Sequence, residues 1–481
     1  MKSEYKKYII DGKCILPDNI TEIEEYAFNG CTGLTSIKIP DSVTKIGEYA
    51  LDGCTGLTSI EIPNSVWMIG DYALCGCAGL THIDIPNSVK YIGNKAFWGC
   101  TGLTSIEIPD SVTEIGNFAF SHCTGLTSIE IPDRVTGIRG GAFSGCTGLT
   151  SIEIPDSVTE IGGVAFSGCT GLTSIEIPDS VTVIEGGAFS GCTGLTSIEI
   201  PDSVTMIGAR VFERCTGLKR IEVSYNNQSY RSVNNCCLTK DGKTLVFGCN
   251  TSIIPDSVTE IGDCAFSGCT GLTSIEIPDS VTMIGSRGFE RCTGIKRIEV
   301  SYNNQSYRSV NNCCLTKDGK TLVFGCNTSI IPDSVTVIGN SAFNGCTGLT
   351  SIEIPDSVTK IGGYAFSDCT GLTSIEIPDS VTEIGGYAPE IVGYDEIGFC
   401  LGYDCKIYVF DGCTGLKSII LNITHNIPAE SETFIKEALV EFRNSQVKLT
   451  VNIPIGTGYA YRHYPGFDQE RLTFVPCNRH K

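Results

Sequence analysis

Histidine and cysteine are the side chains best suited to catalysis or metal binding in this chain of 481 residues. Two of its five histidines, His82 and His122, lie on repeated segments without a recurring partner, so neither a metal site nor a Ser/His/Asp triad is indicated. The CxC motif beginning at Cys75 and the CxxxxC motif beginning at Cys400 lack the paired CxxC spacing of zinc sites. We therefore expect no catalytic residue, no metal and no cofactor, and predict that the protein is not an enzyme.

The charge balance of the chain is strongly acidic. Lys and Arg total 34 residues against 54 for Asp and Glu, which gives a formal net charge of −20. Nucleic-acid binders and proteins that adsorb on anionic membranes both need a basic face. The composition therefore argues against both kinds of partner. No window approaches 18 consecutive apolar residues, so we also expect no membrane insertion.

A column of evenly spaced glutamates is the strongest candidate for a binding surface. Each glutamate lies between two apolar residues in a string of the type S-I-E-I, and on a strand this alternation points the glutamate outward. The first position of this acidic column is a lysine, Lys38, and the second is Glu61. Asp84 replaces glutamate once. The candidate partner-binding members are Glu107, Glu130, Glu153, Glu176, Glu199, Glu222, Glu276, Glu299, Glu353 and Glu376.

Two interpretations of the acidic column remain open. Carboxylates stacked about 4.8 Å apart repel by roughly 0.9 kcal/mol per neighbouring pair even in water. The column is therefore either a solvated face that prevents aggregation or a surface for a basic or cation-bridged partner.

Departures from the uniform pattern mark further candidate contacts. The outward column beside the glutamates is mostly serine, with His82, Arg220 and Arg297 as exceptions. A site tuned to one partner needs differences between repeats, and these cluster at residues 67–91, in two inserts and in the C-terminal tail. Trp67 is expected to be exposed, and exposed aromatic residues are common hot spots.

A 23-residue repeat must position all of these residues. The string C-T-G-L-T-S-I-E-I-P-D-S-V-T-E-I-G-x-x-A-F-S-G returns with small changes along most of the chain, and a fixed period of this length indicates a solenoid. Its cysteine stands at Cys31, Cys54, Cys77, Cys100, Cys123, Cys146, Cys169, Cys192, Cys215, Cys269, Cys292, Cys346, Cys369 and, in a degraded copy, Cys413.

Each repeat contains the signals of one coil. In the first copy, Ile37 and Ile39 alternate with polar residues as on a strand, and Pro40 ends that strand. Val43 and Ile46 are predicted to point back into the core. No segment is long enough for more than about one helical turn, so the remaining faces should be short strands and turns.

The cysteine content favours buried free thiols. The chain has 26 cysteines, and many share one position of the repeat. Side chains stacked about 4.8 Å apart are too distant for a disulfide, whose Cβ atoms lie at about 3.8 Å. Abundant free thiols favour a reducing compartment. A Cys237–Cys249 bridge is the alternative for an oxidising environment.

The repeated string closely resembles the BspA-type leucine-rich repeat, from about residue 17 to 388. The resemblance implies the α/β fold class: a right-handed leucine-rich-repeat solenoid with a parallel β-sheet on its inner face and little helix. Members of that family are often surface proteins that bind host matrix proteins or other cells.

Two inserts interrupt the repeat. They are copies of one another, since residues 219–259 are identical to 296–336 within a duplicated 77-residue block. Each contains two apolar runs around an Asp-Gly pair, which predicts a β-hairpin at about 223–253 and again at about 300–330. The predicted domains are a capping strand (1–16), the repeats with both inserts (17–391), and a degenerate last coil with helix and cap (392–481).

The C-terminal tail departs from the repeat at Pro389. The segment SETFIKEALVEFRN is predicted to be an amphipathic helix with Ser431 as its N-cap, followed by a strand and an aromatic cap. We interpret the tail as a lid over the last coil, with a separate binding module as the alternative.

Two functional hypotheses follow. The first is a non-enzymatic, adhesin-like solenoid that binds protein partners, basic or multivalent, as a monomer. The second is an intracellular scaffold or spacer with no extracellular ligand. The apolar run at the N-terminus is too short for a signal peptide, so the default location is cytoplasmic, whereas the family resemblance implies the cell surface or secretion.

Overall fold

The computed structural model of the protein describes residues 2, 5–385, 409–422, 448–454 and 472–477. The chain divides into two compact units, Met1–Ser252 (unit 1) and Ile253–Lys481 (unit 2). The predicted helix at Ser431, most of the predicted cap and the repeat failure at Pro389 lie outside the described residues. The domain limits drawn from the sequence stay predictions.

One repeat forms one coil with three faces. In the first copy, the strand Ser36–Lys38 belongs to the face that we call the A face, and the two-residue strand Lys45–Ile46 to the B face. The Val43 N–H donates to the Pro40 carbonyl oxygen at 3.0 Å and closes the turn between them. Successive turns over residues 48–53 and the corresponding residues of other copies form the third, or turn, face.

Unit 1 begins with a 3-10 helix (Lys6–Tyr8) and an antiparallel pair, β1 (Ile9–Ile10) and β2 (Lys13–Ile15). Its other strands, in chain order, are β3 (Glu22–Ile23), β4 (Ser36–Lys38), β5 (Lys45–Ile46), β6 (Ser59–Glu61), β7 (Met68–Ile69), β8 (His82–Asp84), β9 (Tyr91–Ile92), β10 (Ser105–Glu107), β11 (Glu114–Ile115), β12 (Ser128–Glu130), β13 (Gly137–Ile138), β14 (Glu160–Ile161), β15 (Val183–Ile184), β16 (Ser197–Ile200), β17 (Met206–Ile207), β18 (Arg220–Val223), β19 (Tyr230–Val233), β20 (Cys236–Thr239) and β21 (Thr244–Phe247).

The coils of unit 1 stack as parallel strands in register. On the A face the order is β2-β4-β6-β8-β10-β12, followed by the pair β16-β18. On the B face the orders are β11-β9-β7-β5-β3 and β13-β14-β15-β17. Each residue pairs with its equivalent one repeat away, as Ile37 does with Ile60 and Ile46 with Ile69. This parallel solenoid with almost no helix confirms the predicted fold class.

The region of the first insert contains antiparallel strands. Strand β19 pairs with β20, with Tyr230 opposite Thr239, and β20 pairs with β21, with Leu238 opposite Leu245. Gly242 lies at the connecting turn with φ of +72°, a conformation that glycine adopts without strain.

Unit 2 has the same construction. Its strands are β22 (Glu260–Ile261), β23 (Ser274–Ile277), β24 (Met283–Ile284), β25 (Arg297–Val300), β26 (Tyr307–Val310), β27 (Cys313–Thr316), β28 (Thr321–Phe324), β29 (Val337–Ile338), β30 (Lys360–Ile361), β31 (Ser374–Ile377), β32 (Glu383–Ile384), β33 (Ser418–Asn422), β34 (Lys448–Pro454) and β35 (Leu472–Cys477). Strands β26, β27 and β28 are antiparallel, and β31-β33-β34-β35 form a parallel sheet.

The core consists of columns of identical side chains. The rings of Phe97 and Phe120 stack with centroids 5.2 Å apart and planes 2° from parallel, and the same stacking continues in later coils. Val43 and Ile46 are fully buried, as predicted. Close backbone approach requires glycine at Gly56, where a Cβ atom would lie 2.3 Å from the Thr32 carbonyl oxygen.

Among the described residues from Cys14 to Cys413, no two cysteines are joined by a disulfide. Those of the repeat column are buried apart from Cys31 and Cys413, its first and last members, which are half-buried. Cys237 and Cys249 are free as well, so the alternative of a bridge between them is not formed. The prediction of buried free thiols is confirmed for the repeat column.

Candidate functional site

The acidic column lies on the A face because its members alternate with buried residues. Ile106 and Ile108 are each 5% exposed, whereas Glu107 between them points to solvent. Glu107 pairs in register with Glu130, and a single β-bridge joins Glu130 to Glu153. The predicted glutamates are all exposed except Glu222 and Glu299, which are half-buried.

Local ion pairs neutralise parts of this column. The Arg220 Nη2 atom donates to Glu222 Oε1 at 2.5 Å, and Arg297 makes the same contact with Glu299 at 2.5 Å. The two arginines predicted as partner contacts are therefore engaged with their own neighbours. At the other end of the column the His82 ring lies 2.9 Å from Asp84 Oδ1.

An acidic groove of about 1310 Å³ opens on the A face of unit 1. It is lined by Glu153, Glu176 and Glu199 of the acidic column and by aspartates from the following turns of the same coils. Those aspartates are Asp156, Asp179 and Asp202. In the described stretch between β12 and β16, the Glu130–Glu153 contact is the only β-bridge on the A face. The groove therefore lies where regular strand pairing is interrupted.

The aspartates of the groove were missed in the sequence. The string I-P-D-S-V is typical of a turn, in which aspartate is a favoured residue, so no binding role was assigned to it. A signal was nevertheless available: Asn64 and Asn87 occupy this position in the second and third copies, whereas the five copies from Glu107 to Glu199 all have aspartate there. In the coils from Glu107 to Glu199, an aspartate consequently follows the acidic-column glutamate three residues later.

Trp67 is exposed, as predicted, with 49% of its surface accessible. Its backbone N–H donates to the Thr44 carbonyl oxygen at 3.1 Å, and the residue precedes strand β7 of the B face. The structure therefore places Trp67 and the acidic column on different faces of the coil.

Two exposed tyrosines of the inserts were not predicted as contact residues from the sequence. Tyr225 and Tyr302 are each 94% exposed, more than any other large hydrophobic side chain in the described part of the chain. The available signal was the repeated string S-Y-N-N-Q-S-Y, which occurs once in each insert.

The buried thiols do not form a reactive site. Burial raises the pKa of Cys146 and of Cys192 to about 12, so both are neutral thiols near pH 7.

Among the described residues, no group of three or more His, Cys, Asp or Glu side chains is arranged to hold a metal ion. The same residues include no helix long and apolar enough to cross a membrane.

Comparison with known proteins assigns the repeat. The family described as "BspA type Leucine rich repeat region (6 copies)" matches residues 7–127, 113–240, 247–321 and 323–424. A search of curated proteins gave no significant match.

Several solved structures are similar to the chain. A leucine-rich repeat protein from Bacteroides ovatus ATCC 8483 is 27% identical over 91% of this chain and 91% of its own, with a TM-score of 0.46. A leucine rich cell surface protein from Faecalibacterium prausnitzii A2-165 is 28% identical over 83% of this chain and 89% of its own, with a TM-score of 0.48. A leucine-rich repeat protein of T. pallidum is 34% identical over 33% of this chain and 77% of its own, with a TM-score of 0.32.

The family match covers most of the chain, and the stacked parallel coils are the fold that its repeat specifies. Leucine-rich-repeat solenoids of this kind are typical of protein-interaction or surface proteins. The chain belongs to the family of BspA-type leucine-rich-repeat proteins.

Proposed function

We propose that the chain is a non-enzymatic, protein-binding solenoid that engages basic, multivalent partners through the acidic column. The observation that supports this proposal is the acidic groove, in which two lines of carboxylates line the same open space. A partner that brings Lys or Arg side chains into the groove relieves the repulsion among these carboxylates.

Repetition determines the kind of affinity that such a surface provides. A single exposed ion pair contributes only about 0.2–1 kcal/mol, so one coil by itself binds weakly. Several coils that engage one partner add their contributions, and each contact after the first is intramolecular. The expected partner therefore carries several cations along one extended surface.

The test is a charge-neutralising series in the groove. The triple variant Glu153→Gln, Glu176→Gln and Glu199→Gln is compared with wild type for binding to a fluorescent poly-lysine peptide over a range of salt concentrations. We expect roughly tenfold weaker binding at low salt and a flatter salt dependence.

A matched control keeps the net charge equal. Glu22, Glu25 and Glu48 are exposed carboxylates of unit 1 that lie away from the A face, and their change to Gln removes the same number of charges. Equal losses in both triple variants would mean that net charge alone attracts the peptide, which contradicts the proposal.

Trp67, on the B face, and the other variable residues of 67–91 are a second proposed contact region, and Arg220 and Arg297 are proposed contacts at the inserts. The exposure of Trp67 supports its assignment. A Trp67→Ala variant that captures partner proteins as well as wild type does would remove this region from the proposal.

An intracellular scaffold is the second candidate function, and the free buried thiols favour it. The two candidates differ in location. Protease treatment of intact cells that carry a C-terminally tagged chain removes the tag signal from a surface binder and leaves that of an internal scaffold unchanged.

A further inference from the structure

The turn after strand β18 carries an almost completely exposed tyrosine. Tyr225 is 94% exposed. The Asn227 N–H donates to the Ser224 carbonyl oxygen at 3.1 Å, so Tyr225 and Asn226 are the two central residues of a β-turn. The tyrosine ring therefore stands at the tip of a defined turn.

The buried side chain of Asn227 fixes this turn to the solenoid. Its Nδ2 atom donates to the carbonyl oxygens of Pro201 at 2.7 Å and Val204 at 3.0 Å. Its Oδ1 atom accepts hydrogen bonds from the N–H groups of Ser229 at 2.8 Å and Tyr230 at 2.7 Å. The backbone under the exposed ring is ordered before any partner binds, which lowers the entropic cost of binding.

The same turn forms one end of the acidic groove. Ser224, directly before Tyr225, lines the groove together with Glu199, Pro201 and Asp202. A chain segment that lies along the groove therefore meets the tyrosine turn where the groove ends.

We infer, on the basis of the function proposed above, that Tyr225 is the aromatic anchor of this binding surface. The occupant is an extended basic segment of a protein partner whose cationic side chains lie over the groove carboxylates. An arginine of that segment packs on the face of the Tyr225 ring, where the cation is attracted by the π-electrons. Arginine is preferred because its planar guanidinium also stacks on aromatic rings.

The duplicated block supplies a natural control for this inference. Tyr302 is also 94% exposed and lies in an identical turn, held by the buried Asn304. In unit 1 the acidic-column positions before the tyrosine are Glu176, Glu199 and Glu222.

In unit 2 the equivalent positions are Ile253, Glu276 and Glu299, and Ile253 is 68% exposed. The two tyrosines thus share a turn but differ in the acidic surface before it. We expect the basic segment to use Tyr225 in preference to Tyr302.

The test measures the affinity of a fluorescent peptide of alternating arginine and serine for the full chain. Tyr225→Ala is expected to weaken binding about fivefold, whereas Tyr225→Phe, which keeps the ring, retains wild-type affinity. Tyr302→Ala is expected to leave the affinity unchanged. Because both tyrosines are exposed, thermal unfolding of all three variants should match that of wild type.

The outcomes separate this inference from the function on which it rests. The role of Tyr225 is overturned if the triple glutamine variant of the groove loses affinity but Tyr225→Ala does not. It is also overturned if Tyr302→Ala weakens binding as much as Tyr225→Ala does. In both cases the proposed binding of basic partners by the acidic groove is retained. If wild type does not bind the peptide even at low salt, both are overturned.

Discussion

The Cys123 thiol donates a hydrogen bond to the carbonyl oxygen of Phe97, which lies 3.1 Å away in the preceding coil. The same contact recurs along the column, for example from Cys146 to Phe120 at 3.1 Å. The repeat cysteine therefore fills the core as a small apolar side chain and also adds a second donor to a carbonyl oxygen that accepts the Cys100 N–H at 3.2 Å.

Removal of one such thiol should destabilise the solenoid locally. Cys123→Ala leaves the Phe97 carbonyl oxygen without this donor and creates a small cavity, so we expect a loss of about 1–2 kcal/mol in the free energy of unfolding. Urea unfolding measures the change. Ser128→Ala, at an exposed A-face position, is the control and should stay within about 0.5 kcal/mol of wild type; equal stability of the two variants would contradict a structural role for the thiol.

Stability should fall at alkaline pH because of the buried thiols. Burial raises the pKa of Cys146 and Cys192 to about 12, whereas an unfolded thiol has a pKa of about 8.5. Between these values the unfolded chain releases protons that the folded chain retains, so rising pH favours unfolding. Each thiol should lower the free energy of unfolding by about 1.4 kcal/mol per pH unit in this range.

The measurement for this prediction is the unfolding temperature from pH 7 to pH 10. It should stay nearly constant up to about pH 8 and then decline as the thiols of the unfolded chain ionise. The double variant Cys146→Ala and Cys192→Ala, which is less stable near neutrality, should show a shallower decline. Identical pH profiles for the variant and wild type would exclude these thiols as the cause.

A histidine in a glycine position offers a stabilising change. His122 has φ of +59° where most other copies have glycine, for example Gly99 with φ of +70°. A side chain in this left-handed region costs roughly 1–2 kcal/mol. His122→Gly should therefore raise the stability by about 1 kcal/mol, reduced somewhat by loss of the edge contact with Trp98.

The reverse substitution provides the matched comparison. Gly168 has φ of +72°, and the nearest atoms to an added Cβ lie 3.7 Å away, so Gly168→Ala tests backbone strain without a clash. We expect a loss of about 1 kcal/mol. Thermal unfolding of both variants should give shifts of opposite sign, and shifts of the same sign would refute backbone strain as the dominant effect.

The buried asparagine under each insert turn should be essential to the local structure. Asn227→Ala removes one donor to the carbonyl oxygens of Pro201 and Val204 and the side-chain acceptor of two N–H groups, at a cost of about 3 kcal/mol. Asn226→Ala, an exposed neighbour, should change stability by less than about 0.5 kcal/mol. Urea unfolding and amide exchange at Ser229 and Tyr230 measure both effects, and slow exchange in Asn227→Ala would argue against this role.

The parallel stacking of coils was predictable because the evidence for it is periodic. Ile37 and Ile60 are equivalent in the repeat and pair directly in the sheet. A slip of one residue would expose the isoleucines and bury the glutamates, so the pattern determines the register. The exposure of Trp67 followed from the same alignment. The limits of the inserts and the tail had no such periodic support.

The candidate site was only partly predictable. The glutamates of the acidic column follow from alternation along one strand, but the contribution of Asp179 beside Glu176 depends on how the chain turns after the proline. The pairing of Arg220 with Glu222 depends on side-chain conformations that residue spacing does not define. The anchoring of the Tyr225 turn depends on Asn227 contacts with carbonyls of another coil.

By itself, the sequence determined that coils of 23 residues stack in parallel and that isoleucine, phenylalanine and cysteine each form a buried column. The reason is that every coil repeats the same alternation of apolar and polar residues, so one register buries all of them at once. Only the tertiary structure decided which carbonyl oxygen accepts a hydrogen bond from each thiol. It also decided where two lines of carboxylates meet in one groove and which tyrosine lies at the end of that groove. Those relationships join atoms of different coils, and their distances depend on how each turn directs the chain.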